Sequence, residues 1–257
     1  MPPNDTMRYL TLVLILVTAS RCVAADAPES PKVPVVGCPA NDQVGAAVLL
    51  AGESMFAPVD TRIAGQMAYY RSEGSPGVFA PKGWSCRAWD GSNGSLLVVT
   101  PKRIAPPYYP LPVIDGPAVT METSDAGSSG RFHVAIVAAQ LFPLVGSDFI
   151  ERVRQEHLIS DSSFEPEHFP YDNRHYLSDR FVEYVTAANR TGLGTEGVLE
   201  MSDLPIRGLT ILNLQAEVNS LIEVRVRLPP ASNAVAETIL QLETVCVQLQ
   251  RGCRGLQ

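Results

Sequence analysis

The clearest pattern in the chain is a strict alternation near its C-terminus. Ile222, Val224, Val226 and Leu228 alternate with Glu223, Arg225 and Arg227. This period of two marks a strand with one face on a core and the other in water. Segment 208–214 predicts a neighbouring strand. Beyond Pro229-Pro230, Ser232 can cap a helix in which Val235, Ile239, Leu242, Cys246 and Leu249 recur at intervals of 4, 3, 4 and 3. That spacing gives one apolar stripe, hence an amphipathic helix docked on a sheet.

Earlier segments are less regular. The apolar run 44–51 suits a buried strand. Asp60 can cap a helix carrying Ile63, Met67 and Tyr70 on one face. Segments 84–89 and 96–99 predict two strands around Asp90-Gly91-Ser92-Asn93-Gly94-Ser95, where Asn-Gly is a strong hairpin signal. The longest apolar segment, 132–142, has only His133 and Gln140 as polar members and reads as a central strand buried on both faces. Ser147 can cap a helix through Leu158 with Phe149, Ile150 and Val153 inward. Ser178 can cap another carrying Phe181, Val185 and Ala188, stopped by Gly192. Six prolines among the 17 residues of 101–117 exclude a helix or central strand there.

Strand and helix signals do not alternate regularly enough for a doubly wound sheet. The expected fold is therefore α+β, a mostly antiparallel sheet with helices packed on it. We expect one domain over 44–257, with 101–117 as the joint if there are two, preceded by an extended leader over 26–43. Residues 1–25 read as a secretory signal peptide: Arg8, a short apolar run over 9–17, and small residues up to Val23-Ala24-Ala25. Met7 is the better initiator, because residues 1–6 begin a signal poorly. The run is too short to span a bilayer, which takes about 20 residues. Cys22 stands where a lipoprotein anchor would, but Arg21 precedes it instead of the small residue that lipidation wants.

Removing 1–25 takes out Asp5, Arg8 and Arg21 and leaves 26 acidic and 18 basic residues. Three scattered lysines form no basic patch, so a nucleic-acid partner is not expected. No second apolar run of spanning length follows, so no transmembrane segment is expected after cleavage. Four cysteines remain, Cys38, Cys86, Cys246 and Cys253. An even number in an exported chain implies disulfides, and four cysteines allow three connectivities. Pairing by locality favours Cys38–Cys86 and Cys246–Cys253. The second requires the helix to end near Gly252, since residues seven apart in a helix lie about 10.5 Å apart, beyond disulfide reach.

His157, His168 and His175 crowd with Glu165, Glu167, Asp172 and Asp179 and with several aromatics over 157–179. Imidazole and carboxylate are the usual partners for zinc or acid–base work. The low-ranked ligand candidates are His168, His175, Glu165 and Asp172. No zinc-hydrolase spacing is present, and Pro166 and Pro170 break any helix face, so a polar surface connection is the preferred reading. Gly52-Glu53-Ser54-Met55-Phe56 resembles a nucleophile elbow, but Phe56 stands where the turn needs glycine. Gly192-Leu193-Gly194-Thr195-Glu196-Gly197 has dinucleotide-loop spacing in the wrong context and reads as a helix cap and loop. Asn93 and Asn189 open glycosylation sequons, meaningful only in a eukaryotic secretory host. Tyr69, Tyr70, Phe79, Trp84 and Trp89 read as core rather than as a stacking surface.

Gly77-Val78-Phe79-Ala80-Pro81-Lys82-Gly83-Trp84-Ser85-Cys86, followed by Gly91-Ser92-Asn93-Gly94-Ser95, resembles uncharacterised secreted bacterial proteins with a GVxAPxGWxC…GSNG signature. With Tyr69-Tyr70 before it, the likeness covers about 33 residues, Tyr69 to Pro101. It implies an exported bacterial protein with a disulfide at Cys86, and no catalytic residue follows from it. The expected function is a periplasmic or secreted, non-catalytic protein that binds a protein or envelope component and needs no cofactor. The alternative is a hydrolase, with or without metal, centred on 157–179.

Overall fold

A computed structural model describes residues 31–40, 52–73, 76–104, 110–165, 169–214 and 220–248. The expectations that fall on 1–30, the strand at 44–51, His168, Glu167 and Cys253 lie outside the described residues. The elements are β1 (Lys32–Gly37), β2 (Ser54–Phe56), α1 (Thr61–Ala64), β3 (Met67–Arg71), β4 (Val78–Pro81), β5 (Ser85–Gly91), β6 (Gly94–Thr100) and β7 (Ala118–Ser124). They continue with α2 (Arg131–Leu141), α3 (Ser147–Arg154), β8 (Asp172–Ser178), β9 (Phe181–Thr186), β10 (Ile206–Leu212), β11 (Leu221–Arg227) and α4 (Asn233–Gln248). The fold is α+β and mostly antiparallel. A seven-stranded sheet runs β5-β6-β7-β11-β10-β9-β8, and a four-stranded sheet runs β2-β1-β3-β4. Among the strand pairs of the described residues, only β1–β3 is parallel.

One face of the large sheet packs on α4 and the small sheet. Leu97, Val99, Val119, Met121, Leu209, Val224 and Val226 meet Val235, Ile239, Leu242 and Cys246 of α4, and Tyr69, Tyr70 and Phe79 of the small sheet. Four of the five positions expected on the last helix's stripe are thus buried, each Leu or Ile contributing about 1.5–3 kcal/mol, and the fifth, Leu249, lies outside the described residues. Ser232 lies in a short 3₁₀ turn just before α4. The Tyr70 ring is fully buried, and its hydroxyl donates to the Pro81 carbonyl and accepts from the Trp84 amide. Trp84 is half-buried against this core, and Trp89 is buried on the opposite face of the sheet with Leu96 and Val98. The Cys38–Cys86 disulfide forms, with Cα atoms 5.3 Å apart, and ties the end of β1 to β5, one sheet to the other. Cys246 is also disulfide-bonded. β1, which falls within the 26–43 segment, sits between β2 and β3 in the small sheet.

The opposite face packs on α2 and α3. Val134, Ala135, Ala138 and Leu141 join Ile150, Val153 and Phe164 against Val182, Tyr184, Leu212 and Leu221. Here the structure corrects the sequence. Segment 132–142 is helix α2, not a central strand. A continuous apolar run cannot separate buried strand from buried helix, and three alanines over eleven residues favour the helix. Segment 178–188 holds no helix: Ser178 ends β8, and Phe181 begins β9. The β-branched and aromatic run Phe181-Val182-Glu183-Tyr184-Val185-Thr186 suits a pleated, half-buried surface better than a helix. Asp60 does cap, accepting from the Arg62 amide at 2.8 Å. It caps only the single turn α1, and Met67 and Tyr70 belong to β3. Gly146, not Ser147, occupies the cap of α3, which stops at Arg154.

The expected β5–β6 hairpin forms, but its two-residue turn is Ser92-Asn93, and Gly94 is the first residue of β6, paired with Gly91. Gly94 has φ +143° and a side chain there would collide with the Thr123 carbonyl, so only glycine fits. The proline-rich stretch connects β6 and β7, which are paired neighbours, and within it Ile114 bridges to Leu199. The largest departure concerns β11. Its charged face was expected in water, yet Glu223, Arg225 and Arg227 are buried. The second face of the sheet is roofed by α2, by the turn at 193–198 and by the loop at 114–116. Arg227 donates to the carbonyls of Gly116, Glu200 and Ile114, so its guanidinium stitches the 114–116 loop and the segment at Glu200 to the sheet.

Candidate functional site

β7 and β11 pair antiparallel with Glu122 directly opposite Glu223. Opposed residues share a face, and two carboxylates so placed repel. Arg225 stands two residues along β11 on the same face. Its guanidinium donates to Glu122 Oε2 at 3.0 Å, to Glu223 Oε1 at 2.9 Å and to the Leu193 carbonyl at 3.4 Å. From α2, the His133 Nε2 lies 2.9 Å from Glu223 Oε2. The helical geometry of 131–141 brings this imidazole over the sheet.

Burial grades the four groups. The side chains of Arg225 and Glu223 are 1% and 6% exposed, those of Glu122 and His133 28% and 36%. The first two form a floor, and the second two open onto a cleft of about 690 Å³. The β5–β6 turn over 91–95 forms one wall, Leu111 and Val113 another, and Glu196 to Val198 a third. Burial pushes the Glu223 carboxyl up, but the Arg225 charge and the His133 contact override it and hold the group well below the usual carboxylate range. Burial pulls the His133 imidazole down, and the hydrogen bond and charge of Glu223, with the charge of Glu122, lift it above its ordinary value. The Tyr184 phenol, buried near Arg225, is raised by desolvation and stays neutral. Its ring needs the glycine opposite it on β10, since a Cβ at Gly208 would collide with it.

Glu122, His133 and Glu223 each offer one ligand atom, and the three atoms lie within 4.8 Å of one another. Among the described residues this is the one cluster with three such donors.

The residues singled out in 157–179 lie elsewhere. His175 is exposed on the edge strand β8, Glu165 is exposed after a short 3₁₀ turn, and His157 is exposed with φ +53°. Asp172 has a structural task. It accepts from the Thr186 hydroxyl at 2.7 Å and from the Leu193 amide at 2.8 Å, and the Gly194 amide donates to that same hydroxyl. It thereby pins the glycine-rich turn whose Leu193 carbonyl receives Arg225. That turn is a 3₁₀ turn over Leu193–Thr195 that follows β9, not a helix. Ser54 lies exposed in β2. Asn93 and Asn189 are both exposed. Sequence reasoning passed over His133 as a polar exception in an apolar run and placed Glu223 and Arg225 in water. Glu122 drew no notice. The one available signal was a charged alternation on a strand that the topology makes central.

No family model, curated protein or solved structure matches this chain.

Proposed function

We propose that the protein is exported and binds a ligand in the cleft above Glu122 and His133, as a binding protein rather than as an enzyme. The carrying observation is the charged row of Glu122, Arg225, Glu223 and His133, set into a covered sheet face and opening on one side to the cleft. Buried charge is costly to desolvate even when paired, and a perturbed charged cluster opening to a cleft is a functional-site candidate. Export is supported by the signal-like residues 1–25 and by the Cys38–Cys86 disulfide, which persists in an oxidising compartment. No described helix is long and apolar enough to cross a membrane. The periplasm or the exterior of a bacterial cell fits these features, and an envelope component is the class of ligand or partner.

Two measurements test this reading. The exported protein should begin at Asp26; a product starting at a lipid-bearing Cys22 replaces free export with anchoring, and cytosolic protein retaining 1–25 overturns export. Tag-free protein purified from its host without denaturation should carry a non-covalently bound species in native mass spectrometry, lost in His133→Ala. Bare wild-type protein overturns the binding reading. The hydrolase reading keeps one specific support, the His133 imidazole oriented by a buried carboxylate at a cleft. Turnover of an ester or phosphoester that disappears in His133→Ala would favour it.

A further inference from the structure

We propose that Glu122, His133 and Glu223 bind a first-row divalent metal cation, and that Arg225 is the positioning residue that presents the two carboxylates to it. This inference rests on the cleft being the binding site and names what anchors ligands there.

The oxygens divide cleanly between arginine and metal. Arg225 takes Glu122 Oε2 and Glu223 Oε1. That leaves Glu122 Oε1 and Glu223 Oε2 for a cation, and Glu223 Oε2 is the oxygen beside His133 Nε2. A hydrogen bond from a second group to each ligating carboxylate is how metal sites fix ligand orientation. Two ligands on a cation with bonds of 2.0–2.2 Å sit about 3.4 Å apart in tetrahedral geometry. The three donor atoms all lie within 4.8 Å of one another, close to that spacing. Glu122 and His133 are the two partly exposed members, on the cleft side.

With a neutral imidazole, two carboxylates and one guanidinium leave a net charge of −1; a protonated His133 brings the four groups to zero, so a divalent cation competes with that proton. Bound between the two opposed glutamates, the cation screens their repulsion. The donor set selects the metal class. One imidazole with two carboxylates suits zinc, manganese or iron(II), whereas calcium and magnesium prefer all-oxygen shells and copper(I) prefers sulfur. Three protein ligands leave at least one coordination position open, and the cleft lies on that side. A ligand with a carboxylate or phosphate oxygen could complete the shell there.

The test uses tag-free protein stripped with chelator and titrated calorimetrically with zinc chloride and, separately, manganese chloride. One ion per chain is expected. His133→Ala and Glu122→Gln should each weaken binding at least tenfold, the scale on which even outer-shell losses act. Both positions are partly exposed, and circular dichroism checks that the variants fold. His175→Ala should bind as wild type does. Cobalt(II) should give visible d–d absorption in the wild type that His133→Ala loses. Absence of binding, or binding that both variants retain, overturns the proposal. A bound small molecule that depends on His133 in native mass spectrometry, without metal binding, sinks the metal site and leaves the cleft reading standing. Failure of both experiments removes both.

Discussion

Two glutamates are buried on opposite sides of the seven-stranded sheet, and they titrate in opposite directions. Glu243, on α4, is 1% exposed in the apolar core and accepts one hydrogen bond, from the Phe79 amide at 2.9 Å. That bond satisfies a donor of β4, and it is too little to hold a charge. Burial pushes the carboxyl up to about 8. Glu223 is nearly as buried but lies between Arg225 and His133, and it stays ionised. The same side chain is a neutral hydrogen-bond acceptor in one core and a fixed anion in the other. The deciding variable is the company each face supplies, not the depth of burial.

The comparison breaks most visibly with pH. Glu243 has a folded pKa near 8 against an ordinary 4.5. A raised acid contributes its full stability below about 4.5 and loses it as pH climbs through 8, because over that window the folded state holds a proton the unfolded state has released. Stability should therefore fall between pH 4.5 and 8 by up to roughly 5 kcal/mol at 1.36 kcal/mol per unit. Glu243→Gln should flatten that part of the pH–stability curve in denaturant unfolding. A drop of the same size in the variant would show that Glu243 is not the group responsible.

Arg225→Met attacks the other face. It leaves Glu122 and Glu223 opposed without their shared cation and should cost about 3–5 kcal/mol at neutral pH. Replacing both glutamates by leucine in the same variant should recover most of that loss, since an apolar set of similar volume tolerates burial. If Arg225→Met alone unfolds no more readily than wild type, the charged row is not the structural unit described here.

A smaller effect is expected at the seam between the sheets. Cys86→Ser opens a loop whose ends are 48 residues apart. The chain-entropy relation gives about 4 kcal/mol for that length, and measured losses are typically 2–4 kcal/mol. Chemical denaturation of the variant beside the oxidised parent reads this directly. The smallest effect belongs to the exposed edge. His175→Ala on β8 should move stability by less than about 0.5 kcal/mol, and a larger shift would show that β8 is more than a solvated rim.

The elements that were legible share one property: their signals are local. The glycine-rich segment 91–95 marks its hairpin because the turn Ser92-Asn93 is followed by Gly94, where only glycine clears the Thr123 carbonyl. Val235, Ile239, Leu242 and Cys246 mark α4 because their spacing makes a single stripe. Ile222 to Leu228 alternate, and β11 is there. The misread segments, 132–142 and 178–188, are apolar runs or spacings that satisfy two periods at once. The larger surprise was not an element but a face. Glu223, Arg225 and Arg227 alternate as a water-facing row would, and nothing local distinguishes a charged row under a roof from one in solvent.

Composition and periodicity alone established an α+β, mostly antiparallel fold with a docked last helix, because each side chain's spacing along its own segment sets which face it lies on. The tertiary structure decided what covers each face. It placed α2 over β11, set Glu122 opposite Glu223 through strand register, and brought in His133 from a helix 90 residues away in sequence from its partner. Register and cover are properties of pairs of segments, and the energies that choose them come from packing between distant parts of the chain.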